Sequence, residues 1–69
     1  MPRYYFHVKR GQLTVLDHTG AELAGLVEAE REAVRRVRER ERVTRDGPTN
    51  RGSIIVADDD WRTVWEVPF

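Results

Sequence analysis

Residues 26–45 read LVEAEREAVRRVRERERVTR, and their spacing decides the fold. Leu26, Ala29, Ala33 and Val37 recur at intervals of three and four, with Val34 beside them. That is the apolar stripe of an amphipathic helix. Gly25 precedes the stripe as an N-cap, and Glu28 puts a negative charge in the first turn, where the helix dipole favours it. Asp46-Gly47-Pro48 is a stop, because glycine accepts the left-handed cap and proline cannot continue the helix. The stripe ends at Val37 while the helical pattern continues to Arg45, so the last two turns are expected to overhang the core or fray.

On either side of this segment the period falls to two. Along residues 3–10, Tyr4, Phe6 and Val8 alternate with Tyr5, His7 and Lys9, the pattern of a strand. Gly11-Gln12 suits a tight turn into a second strand over residues 13–16, and Asp17-His18-Thr19-Gly20 ends the hairpin. After the helix and a polar loop at residues 49–52, residues 53–57 read as a third strand and Asp58-Asp59-Asp60 as a turn. Residues 61–69 read as a fourth strand, with Trp61, Trp65, Val67 and Phe69 on one side and Arg62, Val64 and Glu66 on the other. Pro68 lacks a backbone donor, which suits an edge strand. The order ββαββ predicts one α+β domain over residues 1–69: a four-stranded, mainly antiparallel sheet in the order 2-1-3-4 with the helix packed on one face. All six aromatic residues fall in the first and last strands, which are expected to supply most of the core.

The composition narrows the function classes. Only 39% of the 69 residues are hydrophobic. Ordering such a chain costs on the order of 100 kcal/mol at roughly 1.5 kcal/mol per residue, so a lone monomer is marginal and burial at a subunit interface is a natural remedy. With no cysteine, disulfide frameworks, thiol catalysis and cysteine-based zinc sites are excluded. The opening residues lack the basic stretch and apolar run of a secretory signal, and the run Ile54-Ile55-Val56-Ala57 is far too short to cross a membrane. A cytoplasmic setting without membrane attachment is expected. The 12 basic and 12 acidic residues cancel, leaving no global field to attract a polyanion.

Four short motifs occur in order: Pro2-Arg3-Tyr4-Tyr5-Phe6-His7-Val8, Asp17-x-x-Gly20-x-Glu22-Leu23, Ala29-x-x-x-Ala33 and Val67-Pro68-Phe69. Together they resemble a family of small uncharacterised proteins, common in soil alphaproteobacteria, known as a domain of unknown function. The resemblance covers nearly the whole chain and implies a compact ββαββ arrangement in a bacterial cytoplasm. It carries no activity. It also implies acidic residues between Asp17 and Gly20, where this chain has His18 and Thr19. That departure counts against a carboxylate cluster in the turn.

Candidate sites follow from residue types and spacing. His7, His18 and Asp17 lack the spacing of a metal-binding pair, so His7 is expected to be satisfied by a polar neighbour and His18 to be solvated, with no metal bound. Asp58-Asp59-Asp60 lacks the alternating ligands, central glycine and distal glutamate of a calcium loop, and is expected to solvate its turn. Ser53, the single serine, has no histidine near it in sequence, and no nucleophile elbow or phosphate-cradling loop is present. Neither catalysis nor a cofactor is expected.

Two surfaces remain. Arg31, Arg35, Arg38, Arg42 and Arg45 fall within an arc of about 80° at 100° per residue, nearly opposite the apolar stripe. Such a ridge suits phosphates or an acidic partner, although Glu28, Glu32 and Glu39 lie close enough to pair with it. If the helix covers Tyr4, Phe6 and Val8, then Tyr5, His7, Leu16, Ile55 and Val64 face away from it and offer an apolar interface. The chain is therefore expected to be a non-catalytic protein-interaction module. It would form a homodimer through that face or the last strand, anchored by Tyr5, Trp61 and Trp65 beside Leu16, Ile55 and Val64. An unidentified protein partner is a second occupant for the same surface. The alternative is nucleic-acid or other polyanion binding through the arginine ridge and the Thr49-Asn50-Arg51 loop, against which the neutral charge counts.

Overall fold

The computed structural model describes residues 1–43 and 52–69, with side chains described for 1–40 and 52–69. Its elements are β1 (Arg3–Arg10), β2 (Leu13–Val15), β3 (Ala21–Glu22), α1 (Leu26–Val43), β4 (Gly52–Ala57) and β5 (Thr63–Pro68). The fold is α+β, one helix on an antiparallel sheet. Four strands run in the path β2-β1-β4-β5, and the two-residue β3 pairs with β1 as a fifth. The expected four-stranded sheet thus gains a branch that two residues are too short to announce by periodicity. β2 also stops at Val15, leaving Leu16 outside the ladder.

The helix lies against β4 and β5. Its inner face is Ala29, Ala33 and Val37, all buried, packed with Tyr4, Phe6, Ile54 and Val56. Both alanines are fully inaccessible, and their small side chains favour a close seat of α1 on the sheet. Leu26, the first residue of the predicted stripe, is exposed instead. α1 runs on to Val43, past the end of the stripe, while Asp46-Gly47-Pro48, Thr49-Asn50-Arg51 and Arg45 lie outside the described residues.

The core is more aliphatic than the sequence predicts. The central strand β4, flanked by β1 and β5, contributes buried Ile54, Val56 and Ala57, whereas Trp61 and Trp65 remain about half exposed. The reason lies in β5. Val56 pairs with Trp65 but Ala57 pairs with Thr63, so Val64 is an extra residue on β5. Such a bulge breaks the alternation of faces. Val64 packs against the core cluster rather than facing away, and Trp61, outside the strand, does not share a side with Trp65. It stacks instead on Tyr5 and His7, whose neighbours Tyr4, Phe6 and Val8 point to the helix.

Gly52 opens β4 where three strands crowd together. It pairs with Arg10 of β1 and exchanges backbone hydrogen bonds with Phe69 at 3.3 and 2.8 Å. A Cβ at this position would lie 2.1 Å from the Lys9 carbonyl oxygen, which belongs to backbone and cannot swing aside. Gly52→Ala is expected to destabilise the chain by about 1–3 kcal/mol, the range for forced overpacking. A urea titration followed by circular dichroism measures it, and an unchanged midpoint would contradict the packing described.

Candidate functional site

The turn after β2 is organised by one carboxylate. Asp17 Oδ1 accepts the N–H groups of Thr19 at 3.0 Å and Gly20 at 3.1 Å, and Oδ2 accepts the N–H of Phe6 at 3.1 Å. β2 pairs with the far end of β1 and β3 with its start, so Asp17 fills the gap left between them on the same edge. Gly20 makes the turn possible. Its φ of +71° suits glycine, and a Cβ there would lie 2.9 Å from the Tyr4 carbonyl oxygen. Burial pushes the Asp17 pKa up, but the N–H donors of Gly20, Phe6 and Thr19, with the Arg36 charge, outweigh it and hold the carboxyl below its ordinary 3.8.

His7 is buried on the reverse face of the sheet, and its Nδ1 accepts the backbone N–H of Asp17 at 3.0 Å. A neutral ring with that acceptor carries its proton on Nε2. His7 and Asp17 are thus brought together as a structural pair, with Nδ1 and both carboxylate oxygens already engaged, while His18 is exposed in the turn.

Trp61 covers His7 and its neighbour Tyr5 from outside. Its ring stacks on Tyr5 at 4.5 Å and on His7 at 5.5 Å, with interplanar angles of 14° and 7°. Trp61 takes a φ of 62°, a left-handed conformation that costs a residue with a Cβ roughly 1–2 kcal/mol. The acidic turn holds it there. Asp58 Oδ1 accepts the N–H groups of Asp60 and Arg62, both at 2.9 Å, and the Asp58 carbonyl accepts the N–H of Trp61 at 3.0 Å. Among the described residues, Asp58, Asp59 and Asp60 form a cluster of three carboxylates whose oxygens lie within 4.8 Å of one another. Its inner member already braces the turn.

The motifs of the first half therefore meet in space: Pro2 accepts the Leu23 N–H at 3.0 Å, and Arg3 bonds both the Thr19 carbonyl and Glu22. Residues 3–69 match the family described as a domain of unknown function, DUF6894. The chain belongs to that family. No curated protein and no solved structure matches it.

In this DUF6894 chain the predicted arginine ridge divides. Arg35 is held by Glu32 at 2.6 Å and by Glu39 at 2.9 Å, and Arg36, outside the ridge, also binds Glu32 at 2.7 Å while its guanidinium stacks over Phe6. The Arg35 hydrogen bond is the main reason the Glu32 pKa falls from 4.5 to about 2; burial opposes it and Arg36 assists. Arg31 and Arg38 are exposed and have no ion-pair partner among the described residues. The side chain of Arg42 is not described.

Arg31 and Arg38 line a groove of about 620 Å³ between α1 and β5, with Val27, Val34, Trp65 and Glu30. The three apolar members stay exposed: Val27 57%, Val34 38% and Trp65 43%. The sequence places Trp65 at an interface and sets Val34 beside the core stripe without singling out Val27; the two valines, seven residues apart, form a second apolar line on the exposed flank. The predicted reverse face is less open than expected, because Trp61 roofs Tyr5 and His7 from the same chain and leaves Ile55 half-buried. Leu16 lies exposed beyond β2.

The outer edge of β5 offers little for strand addition. The reciprocal bonds between Phe69 and Gly52 turn alternate residues, Val67 and Trp65, toward β4. Glu66 and Pro68 then face outward, and Pro68 has no N–H to give. The bulge at Val64 ends the regular edge on the other side.

Two outcomes follow. Trp61→Gly and Trp61→Ala both remove the ring stack, but alanine keeps the backbone strain, so Ala is expected to be less stable than Gly by about 1 kcal/mol in urea. Equal stabilities would mean that Trp61 is not strained. Asp17 and Glu32 have folded pKa values below their unfolded ones, so each contributes stability that is complete above its ordinary pKa and is lost as the pH falls through its lowered one, for Glu32 from 4.5 down to about 2. Asp17→Asn and Glu32→Gln are each expected to flatten the loss of stability across that acid range, measured as urea midpoints at a series of pH values.

Proposed function

We propose that the chain is a non-catalytic protein-interaction module that self-associates through the flank of α1 beside β5. The observation that carries this reading is the groove itself. Val27, Val34 and Trp65 present contiguous apolar surface on a chain that can spare little of it. Symmetric pairing is the ordinary way for such a surface to be buried. The reverse face around Tyr5, Ile55 and Leu16 is the weaker candidate, since Trp61 already occupies its centre.

A non-catalytic role is supported by how the reactive groups are used. The Ser53 hydroxyl is buried and donates to Glu66 at 2.7 Å, pinning β4 to β5, and His7 is committed to the Asp17 backbone. The proposed setting is the cytoplasm, on the absence of cysteine; among the described residues no helix is long and apolar enough to cross a membrane. The second reading is binding of a nucleic acid or other polyanion by Arg31 and Arg38, which are exposed one above the other on the same flank. It is the weaker one, because Arg35 between them is neutralised by Glu32 and Glu39.

Sedimentation analysis should find dimer accumulating as the native chain is concentrated. Val34→Glu combined with Trp65→Lys should leave a monomer with an unchanged circular dichroism spectrum. A native chain that stays monomeric at high micromolar concentration would rule self-association out.

A further inference from the structure

We infer that β2 is a second contact surface, pairing antiparallel with β2 of another copy about a two-fold axis at Thr14. It lies on the opposite rim of the sheet from β5 and does not depend on the groove. In a chain with 35% charged residues, Gly11-Gln12-Leu13-Thr14-Val15-Leu16 is exposed throughout and carries neither charge nor proline. Natural sheets guard their edges with charges, prolines or bulges, as β5 does with Pro68 and the extra residue Val64. The rim at β2 is open.

The pairing pattern names the occupant. Phe6 turns its N–H toward Asp17, so the alternate residues Val8 and Arg10 turn theirs the same way, to Val15 and Leu13. Thr14 then points its N–H and carbonyl outward, and β2 is the outermost strand on that side. Leu13 and Val15 share a side with Val8, yet α1 lies over β4 and β5, so they stay 75% and 66% exposed. With Thr14 opposite Thr14 of the second copy, the two threonines exchange backbone hydrogen bonds and each Leu13 falls opposite a Val15. A slip of one residue sets bonding residues against non-bonding ones. Leu13 opposite Leu13 would put Val15 against Gly11, and Val15 opposite Val15 would put Leu13 against Asp17, whose carboxylate is spent on its own turn. Only the register centred on Thr14 gives both aliphatic residues an aliphatic partner. So short a junction falls below the roughly 1,200 Å² of stable interfaces, so it joins copies when concentrated rather than in dilute solution.

The test starts from the Val34→Glu/Trp65→Lys chain, which lacks the groove contact. Leu13→Cys and Val15→Cys are introduced into it separately, mixed in equal amounts, oxidised mildly and read by mass spectrometry. Facing Cα atoms in such a pair lie about 4.5 Å apart, within disulfide reach, while the diagonal Leu13 to Leu13 distance is about 7–8 Å. The mixed disulfide should therefore exceed each homodimer by about tenfold or more, against about twofold for random collision. Adding Thr14→Lys to both chains sets like charges opposite one another and should suppress it. Thr14→Lys in one chain with Thr14→Glu in the other should restore it. A random mixture, or an excess of either homodimer, would overturn the Thr14-centred pairing and leave the groove reading untouched. A dilute Val34→Glu/Trp65→Lys chain that still sediments as a dimer while forming the mixed disulfide would instead uphold β2 and overturn the groove.

Discussion

The first half of the chain depends on the Asp17 carboxylate. β1 needs a partner along its whole outer edge, yet the returning chain pairs with it in two separated pieces, β2 and β3. Between them the Phe6 N–H would be an orphan, and an unmatched buried backbone donor costs as much as a lost hydrogen bond. Asp17 supplies the missing acceptor with one oxygen and folds its own turn with the other, while its backbone N–H satisfies His7. Four groups are thereby settled by one residue. The Arg36 charge adds to the same balance from the helix, and through Phe6 and Glu32 it ties the hairpin to α1.

Much of this was legible in the sequence, and what escaped has specific causes. Periodicity located the helix and all the longer strands, because each repeats its pattern often enough to be counted. β3 escaped because two residues have no period. The sides of β5 were misassigned at Trp61 and Val64 because one extra residue breaks the alternation, and nothing in the residue types announces a bulge. The arginine ridge was visible as spacing, but its division into held and unpaired members depends on rotamers. Arg35 falls between Glu32 and Glu39 and is spent on both. Val34 was visible beside the core stripe, and Val27, one heptad before it, could have been read with it as a second apolar line.

The helix layer explains why that second line stays uncovered. Ala29 and Ala33 draw α1 tightly onto the sheet over β4 and β5, and a close seat brings only a narrow arc of the helix into contact. Larger residues at these positions would lift the helix and change how its flanks meet the sheet. With alanine there, Val27 and Val34 overlook Trp65 across an open groove. The same two small residues therefore bear on both the packing of the core and the apolar surface left uncovered on the helix flank.

The rim of the sheet at β5 has a consequence for how the protein behaves in a crowded cell. Strands that expose an unbroken ladder invite unlimited stacking, the route to fibres. Here a proline and a single extra residue interrupt that ladder at both ends. Growth by strand pairing is therefore discouraged along this rim, although apolar surface stays uncovered in the groove beside α1.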